Sequence, residues 1–159
     1  MIIEYDKKYD EQIKDLLVEL QNYLIDIDDW HTQIMLPKYR DGNFNMDINK
    51  VKNQKGKIFL SIENNKVNGV IIGVVYIQDK IDKLTNDCAK TGEVIELIVK
   101  NNIRGNGIGK QLLENIEKYF KSINCKRINI EVFGPNKKGL NFYKKNDYEV
   151  RDIIVSKRI

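Results

Sequence analysis

The sequence predicts an α/β fold built on one mixed sheet flanked by helices, and three observations carry that prediction. Short runs rich in β-branched and aromatic residues alternate along the chain with stretches whose apolar residues recur at the helical period. Two of these runs, Lys57 to Glu63 and Val67 to Ile77, flank the string Asn64-Asn65-Lys66, as the arms of a hairpin flank its turn. A third run, Glu93 to Val99, leads through a glycine-rich segment into the amphipathic stretch Gly107 to Lys121, the pattern of a strand, a turn and a helix.

Taken in order, Met1 to Tyr5 alternates as a short first strand. A helix follows, with Ile13, Leu16, Leu17, Leu20 and Leu24 on one face. From Ile27 to Gln54 the pattern is poorer: Trp30 to Tyr39 reads as a helix broken near Pro37, and Asp47 as the cap of a short helix through Lys55. Within the second hairpin strand, Gly69 and Gly73 mark a bulge or a close backbone approach. Gln78 to Thr91 is a polar, charged loop. The helix from Gly107 to Lys121 carries Ile108, Leu112, Leu113, Ile116, Tyr119 and Phe120 as one stripe. Lys126 to Phe133 is a further strand ended by Gly134-Pro135. A helix from Asn136 to Lys145 and two closing strands, Tyr148 to Asp152 and Ile153 to Arg158, complete the expected order.

With 159 residues, 42% of them apolar, the chain can build one core and is too short for two ordinary domains, so a single domain over residues 1–159 is expected. A net charge of +4 would suit nucleic acid, but the lysines are interleaved with acids and form no basic block, which argues against that partner. The longest apolar stretch, around Val70 to Ile77, is far below a membrane span, and the N-terminus lacks a signal-peptide pattern, so a cytosolic protein without membrane association is expected. Cys88 and Cys125 have no Cys or His near them in sequence. Neither a disulfide framework nor a metal site is suggested, and both thiols are expected to be reduced.

The segment Arg104-Gly105-Asn106-Gly107-Ile108-Gly109-Lys110 carries the most chemical information. Three glycines in five residues remove the Cβ atoms that would keep a ligand from the backbone, and the helix that follows begins with N–H groups lacking helical partners. Such a turn suits phosphate. A dinucleotide fingerprint counted from Gly105 would need glycine where Lys110 stands. A P-loop would need glycine at Arg104 and Ser or Thr at Gln111. Arg104 to Gly109 resembles instead the acetyl-coenzyme A signature of the GNAT N-acetyltransferases, Arg/Gln-x-x-Gly-x-Gly/Ala. A second anchor lies downstream, where Asn136 is followed after seven residues by Tyr143 in a string similar to the family's N-x-x-A-x-x-F-Y-x-K-x-G-F. Gly139 stands for the usual Ala, and Asn146-Asp147-Tyr148 for the usual Gly-Phe ending.

This resemblance, which covers roughly Lys57 to Tyr148, implies a mostly antiparallel sheet with a splayed central strand pair that binds acetyl-coenzyme A. It implies that the backbone of Leu97, Ile98 and Val99 pairs with the pantetheine arm, that the amides of Arg104, Gly105, Asn106, Gly107, Ile108, Gly109 and Lys110 hold the pyrophosphate, and that Asn136 belongs to the cofactor site. Tyr143 is the implied general acid, a phenol of ordinary pKa about 10 placed beside the departing thiolate. For the base, Glu93 is the first candidate, at the position before Arg104 where several members carry a catalytic Glu. Glu96 is the second, because regular pairing puts it on the opposite face and a bulge in this strand would exchange the faces locally. Many relatives use ordered water instead.

The implied reaction is acetyl transfer from acetyl-coenzyme A to a primary amine by direct attack in a ternary complex, with a small molecule as the expected acceptor. A protein or peptide amine and a non-catalytic acyl-coenzyme A sensor are the alternatives. The oligomeric state is not legible, although family members are often dimers. Other groups offer less. His31 is the only histidine and assembles no triad, Cys125 has no cationic neighbour in sequence, Asp26, Asp28 and Asp29 read first as helix termination, and Lys137, Lys138, Lys144 and Lys145 as a solvated face.

Overall fold

The computed structural model describes residues 1–87 and 89–159. The expectation for Cys88 lies outside the described residues. The elements run β1 (Ile2–Glu4), α1 (Asp10–Asp26), α2 (Tyr39–Asn53), β2 (Lys57–Glu63), β3 (Lys66–Val75), the single turn α3 (Asp82–Thr85), β4 (Thr91–Val99), α4 (Ile108–Ser122), β5 (Arg127–Ile130) and α5 (Lys137–Lys144). The strands form one sheet in chain order, antiparallel from β1 to β4, with β5 parallel to β4. The mixed α/β sheet expected from the sequence is therefore present.

The alternation of apolar residues distributes two cores over the two faces. Ile58, Leu60, Val70, Ile72 and Ile98 pack with Ile13, Leu16 and Leu17 of α1 and Phe44 of α2. On the other face Ile71 and Val94 pack with Leu112, Leu113, Ile116 and Phe120 of α4, the stripe read from the sequence. The β2–β3 turn places Asn64 and Asn65 at φ 48° and 60°, the left-handed pair that a two-residue hairpin needs and asparagine tolerates. Gly73 is a close approach, since a Cβ there would lie 2.7 Å from Ile116 and Phe120 side-chain atoms.

Three expectations are corrected. Trp30 to Leu36 is not helical: the buried Asp28 carboxylate accepts from the N–H groups of Trp30, Thr32 and Gln33 at 3.0, 2.7 and 2.7 Å, and His31 takes a left-handed φ of 54°, so the backbone bonds to a side chain rather than to itself. Asp47 is not a cap but sits inside α2, 2% exposed. The closing strands are absent, and residues 149–159 are irregular and exposed, with Ile153, Ile154 and Val155 at 78%, 86% and 88%. Their β-branched composition favours extended backbone, but a strand also needs an edge to pair with and a face to bury, and the last side chain seated on the core is Tyr148. Smaller shifts are that β4 starts at Thr91 and that β5 stops at Ile130.

Candidate active site

Pairing between β4 and β5 ends at Val94 opposite Ile130, while β4 continues along β3 to Val99. The two strands therefore part, and a cleft opens between Ile95, Glu96 and Leu97 on one side and Glu131, Val132 and Phe133 on the other. Leu20 and Leu24 of α1 cover it, and Asn136 and Tyr143 border it. Leu97 lines the cleft directly. Ile98 is buried among the α1 and α2 core, and Val99 packs toward α4, so these two can serve the cleft only through their backbone.

The glycine turn lies where β4 ends. Gly105 and Gly107 hold φ of 88° and 76°, and a Cβ on either would enter open space. Their role is thus conformational, with the additional effect of leaving the surface of the turn bare backbone. The first amide to bond within the helix is that of Gln111, to the Gly107 carbonyl at 3.0 Å, so the amides of Ile108, Gly109 and Lys110 lack helical partners and lie at the positive end of the α4 dipole. Arg104 contributes differently from its neighbours. Its Nε donates to the Val99 carbonyl at 2.8 Å, and its guanidinium lies 5.5 Å from the Tyr23 ring centre, so its side chain locks the turn to the end of β4. Asn106 donates to the Ile103 carbonyl at 3.1 Å. A bare, positively polarised turn of this kind fits a pyrophosphate.

A bulge sets the faces on which the two candidate carboxylates lie. Gly73 faces Val94 and Ile72 faces Glu96, leaving Ile95 as an extra residue in β4. As a result Glu93, opposite Val74, and Glu96, opposite Ile72, share the face covered by α1 and α2, where regular alternation would have separated them. Only Glu96 borders the cleft. Its carboxylate accepts from Asn43 Nδ2 at 3.4 Å, and burial, followed by the nearby Asp47 charge, pushes it up to about 7. Asp47 is itself pushed up to about 6 by burial, against the pull of Lys50. Tyr39, on the same helix, is raised to about 12 by burial and by the Glu96 and Asp47 charges.

Tyr143 is brought to the same cleft from α5. Its ring packs edge-on against Phe142 and Tyr148 at 5.2 and 5.9 Å, so it is at once a core ring and a cleft residue. Burial first, and the Glu96 charge second, hold the phenol well above its ordinary pKa, so it keeps its proton at neutral pH. Asn136 caps α5: its Oδ1 accepts from the Gly139 N–H at 2.9 Å and from the Tyr23 hydroxyl at 3.1 Å. A Cβ at position 139 would lie 2.6 Å from the Asn136 amide nitrogen, so the alanine usual in the family would require this cap to shift.

The polar residues that reading the sequence missed are Tyr23, Tyr39, Asn43 and Asp47. Tyr39, Asn43, Asp47 and Lys50 recur at helical spacing, and that polar stripe, alternating with Phe44, Ile48 and Val51, was the available signal. Asp28 is committed to the loop after α1. Burial opposes its charge, but the hydrogen bonds from Gln33, Thr32 and Trp30 outweigh it and hold the carboxyl at about 2. His31 is exposed, Cys125 is pushed up by burial, and Lys137, Lys138, Lys144 and Lys145 face solvent. Among the described residues no group of three or more His, Cys, Asp or Glu side chains could hold a metal ion, and no helix is long and apolar enough to cross a membrane.

The central strands of the sheet thus part beside a carboxylate, a phenol and a turn of bare backbone amides. The model of the acetyltransferase (GNAT) family matches residues 24–148, and the chain belongs to that family: it is an acetyltransferase. Glucosamine 6-phosphate N-acetyltransferase 1 of Dictyostelium discoideum is 26% identical over 141 residues, 83% of this chain and 86% of that protein. Among solved structures, a mutant of the BH1408 protein from Bacillus halodurans superposes with a TM-score of 0.80 at 18% identity, covering 100% of this chain and 99% of that one. The aminoglycoside N-acetyltransferase AAC(6′)-Iy, solved in complex with CoA, superposes with a TM-score of 0.70 at 13% identity over the whole of both chains.

Proposed function

We propose that the protein transfers an acetyl group from acetyl-coenzyme A to a primary amine of a small molecule, that Glu96 is the base and Tyr143 the general acid, and that residues 1–159 act as one unit. The observation that carries this reading is the placement of both side chains on the cleft where β4 and β5 part. Acetyl-coenzyme A supplies the acetyl group as a thioester that the acceptor amine attacks directly. The amides from Gly105 to Lys110 hold its pyrophosphate, and the outer edge of Leu97 to Val99 aligns its pantetheine arm. Asn136 acts on the site by fixing the start of α5 and with it Tyr143.

A carboxyl near 7 is balanced between its two forms at neutral pH, the condition under which a base both accepts a proton from an amine and passes it on. A phenol that stays protonated can protonate a leaving thiolate. Glu93, although on the same face, does not border the cleft, and its place as first candidate passes to Glu96. Two of the named relatives act, by their names, on an amino sugar phosphate and on aminoglycosides, which supports a small amine over a protein one. A cytosolic location and a homodimer belong to this reading, and fractionation and light scattering test them separately.

The test is a panel of amino sugars, aminoglycosides, polyamines, amino acids and peptides, assayed with acetyl-coenzyme A for released thiol. Turnover of a small amine above that of any peptide supports the reading. Turnover of peptides alone transfers the activity to protein substrates, and silence across the panel contradicts catalysis on these acceptors.

A further inference from the structure

Outside the cleft itself, the strongest unexplained feature is the polar content of the α2 face. Asp47 is 2% exposed yet forms no ion pair among the described residues, and its one side-chain partner there is the amide of Asn43 at 3.5 Å. The same Asn43 Nδ2 donates to Glu96 Oε1 at 3.4 Å, joining helix to strand across 53 residues of chain. Two carboxylates are thus held on one donor, no farther apart than two hydrogen bonds laid end to end. Around them stand Tyr39 and Lys50 of α2 and Tyr143 of α5, while β3 offers Ile72 and α1 brings Leu20 and Leu24 to the cleft. An apolar residue at position 47 would pack there at lower cost than a charge, so stability alone does not explain the aspartate.

We propose that Asp47 is a positioning residue for acetyl transfer, whose carboxylate, held beside Glu96 by the Asn43 amide they share, sets the pH at which Glu96 takes the amine proton. The inference rests on Glu96 being the base. Two acids this close do not ionise independently. Burial raises both, and the Asp47 charge resists the ionisation of Glu96. Asn43 works in the opposite sense, because a donor to Glu96 favours the charged form. The α2 pair therefore brackets the base, one member raising its proton affinity and the other limiting the rise. Tyr143 feels the Glu96 charge in turn, so the proton state of the base is communicated to the acid across the cleft.

The experiment measures kcat/KM against pH for the intact protein and for Asp47→Asn, Asp47→Glu and Asn43→Ala, together with a 13C titration of the Glu96 side chain in each without substrate. Asp47→Asn should move the acidic limb and the Glu96 titration down by about one pH unit, Asp47→Glu should restore them, and Asn43→Ala should move them up. Asp47→Asn is isosteric, and Asn43→Ala reads the opposite sign should the first variant fold poorly. Limb and titration both unmoved in Asp47→Asn and Asn43→Ala would overturn the proposal and leave Asp47 a structural residue. If the Glu96 titration moves as expected while the limb persists in Glu96→Gln, the fault lies instead with Glu96 as base, and the proposed catalytic role of Asp47 falls with it.

Discussion

The Tyr23 hydroxyl donates to Asn136 Oδ1 at 3.1 Å, joining α1 to the cap of α5 across 113 residues of chain. The same oxygen accepts from the Gly139 N–H, so the start of the helix that carries Tyr143 is tied to α1 through the Asn136 side chain. Asn136→Ala removes both bonds and should cost about 1 kcal/mol or more of stability. Tyr23→Phe removes one and should cost about half as much. Denaturant unfolding of the two variants checks the order. Equal, negligible losses would show that the cap does not hold α5.

Burial of acids makes stability depend on pH in a defined window. Glu96 and Asp47 are pushed from ordinary values of 4.5 and 3.8 to about 7 and about 6, so over that range the folded protein holds more protons than the unfolded chain. By linkage their contribution is fully present below the unfolded values and is lost as pH rises through the folded ones. Asp28 has the opposite sign, its contribution being lost as pH falls from 3.8 toward 2. Urea midpoints measured between pH 4.5 and 7.5 should fall less in Glu96→Gln than in the native sequence. Identical slopes would show that Glu96 is not held in its acid form by the fold.

The glycine turn separates binding from folding. Gly107 sits at the start of α4 with φ 76° and no atom near its missing Cβ, so Gly107→Ala meets no clash and pays only the left-handed conformation, about 1 kcal/mol. The added methyl should disturb the backbone surface of the proposed pyrophosphate cradle. The KM for acetyl-coenzyme A should rise about tenfold, with a melting temperature lowered by only about 3 °C. An unchanged KM would remove the turn from the binding site.

Much of this arrangement was legible in the sequence because it rests on local pattern. The stripe of α4, the Asn64-Asn65 turn and the glycine cluster each specify their geometry within a few residues. Asn136 and Tyr143 could be placed on one helix seven residues apart, although only the structure shows that Asn136 is a cap bonded to Tyr23. That Glu93 and Glu96 share a face was not legible, because it depends on the extra residue Ile95, whose bulge exists only against the partner strand. Asn43 and Asp47 were hidden for a related reason: α2 is weakly amphipathic, and a helix whose inner face is partly polar carries a poor periodic signal. The closing strands were read where none form, since β-branched composition describes the residues and says nothing of the edge they need.

Tyr143 is a packed core ring and the proposed general acid, and one substitution can separate the two. Tyr143→Phe keeps the ring contacts with Phe142 and Tyr148 and removes only the hydroxyl. Stability and the KM for acetyl-coenzyme A should stay near their native values while kcat falls about 100-fold. An unaffected kcat would leave Tyr143 a core residue and give the leaving thiolate another proton source.

The most direct measurement is kcat/KM against pH for the native protein, Glu96→Gln and Glu93→Gln on one accepted amine. Glu96→Gln should lose about 100-fold or more and no longer show the acidic limb near pH 7, while Glu93→Gln stays within about threefold of native with the limb intact. The reverse pattern, or a limb that survives in Glu96→Gln, would contradict a reaction that runs through the carboxylate at the parting of β4 and β5.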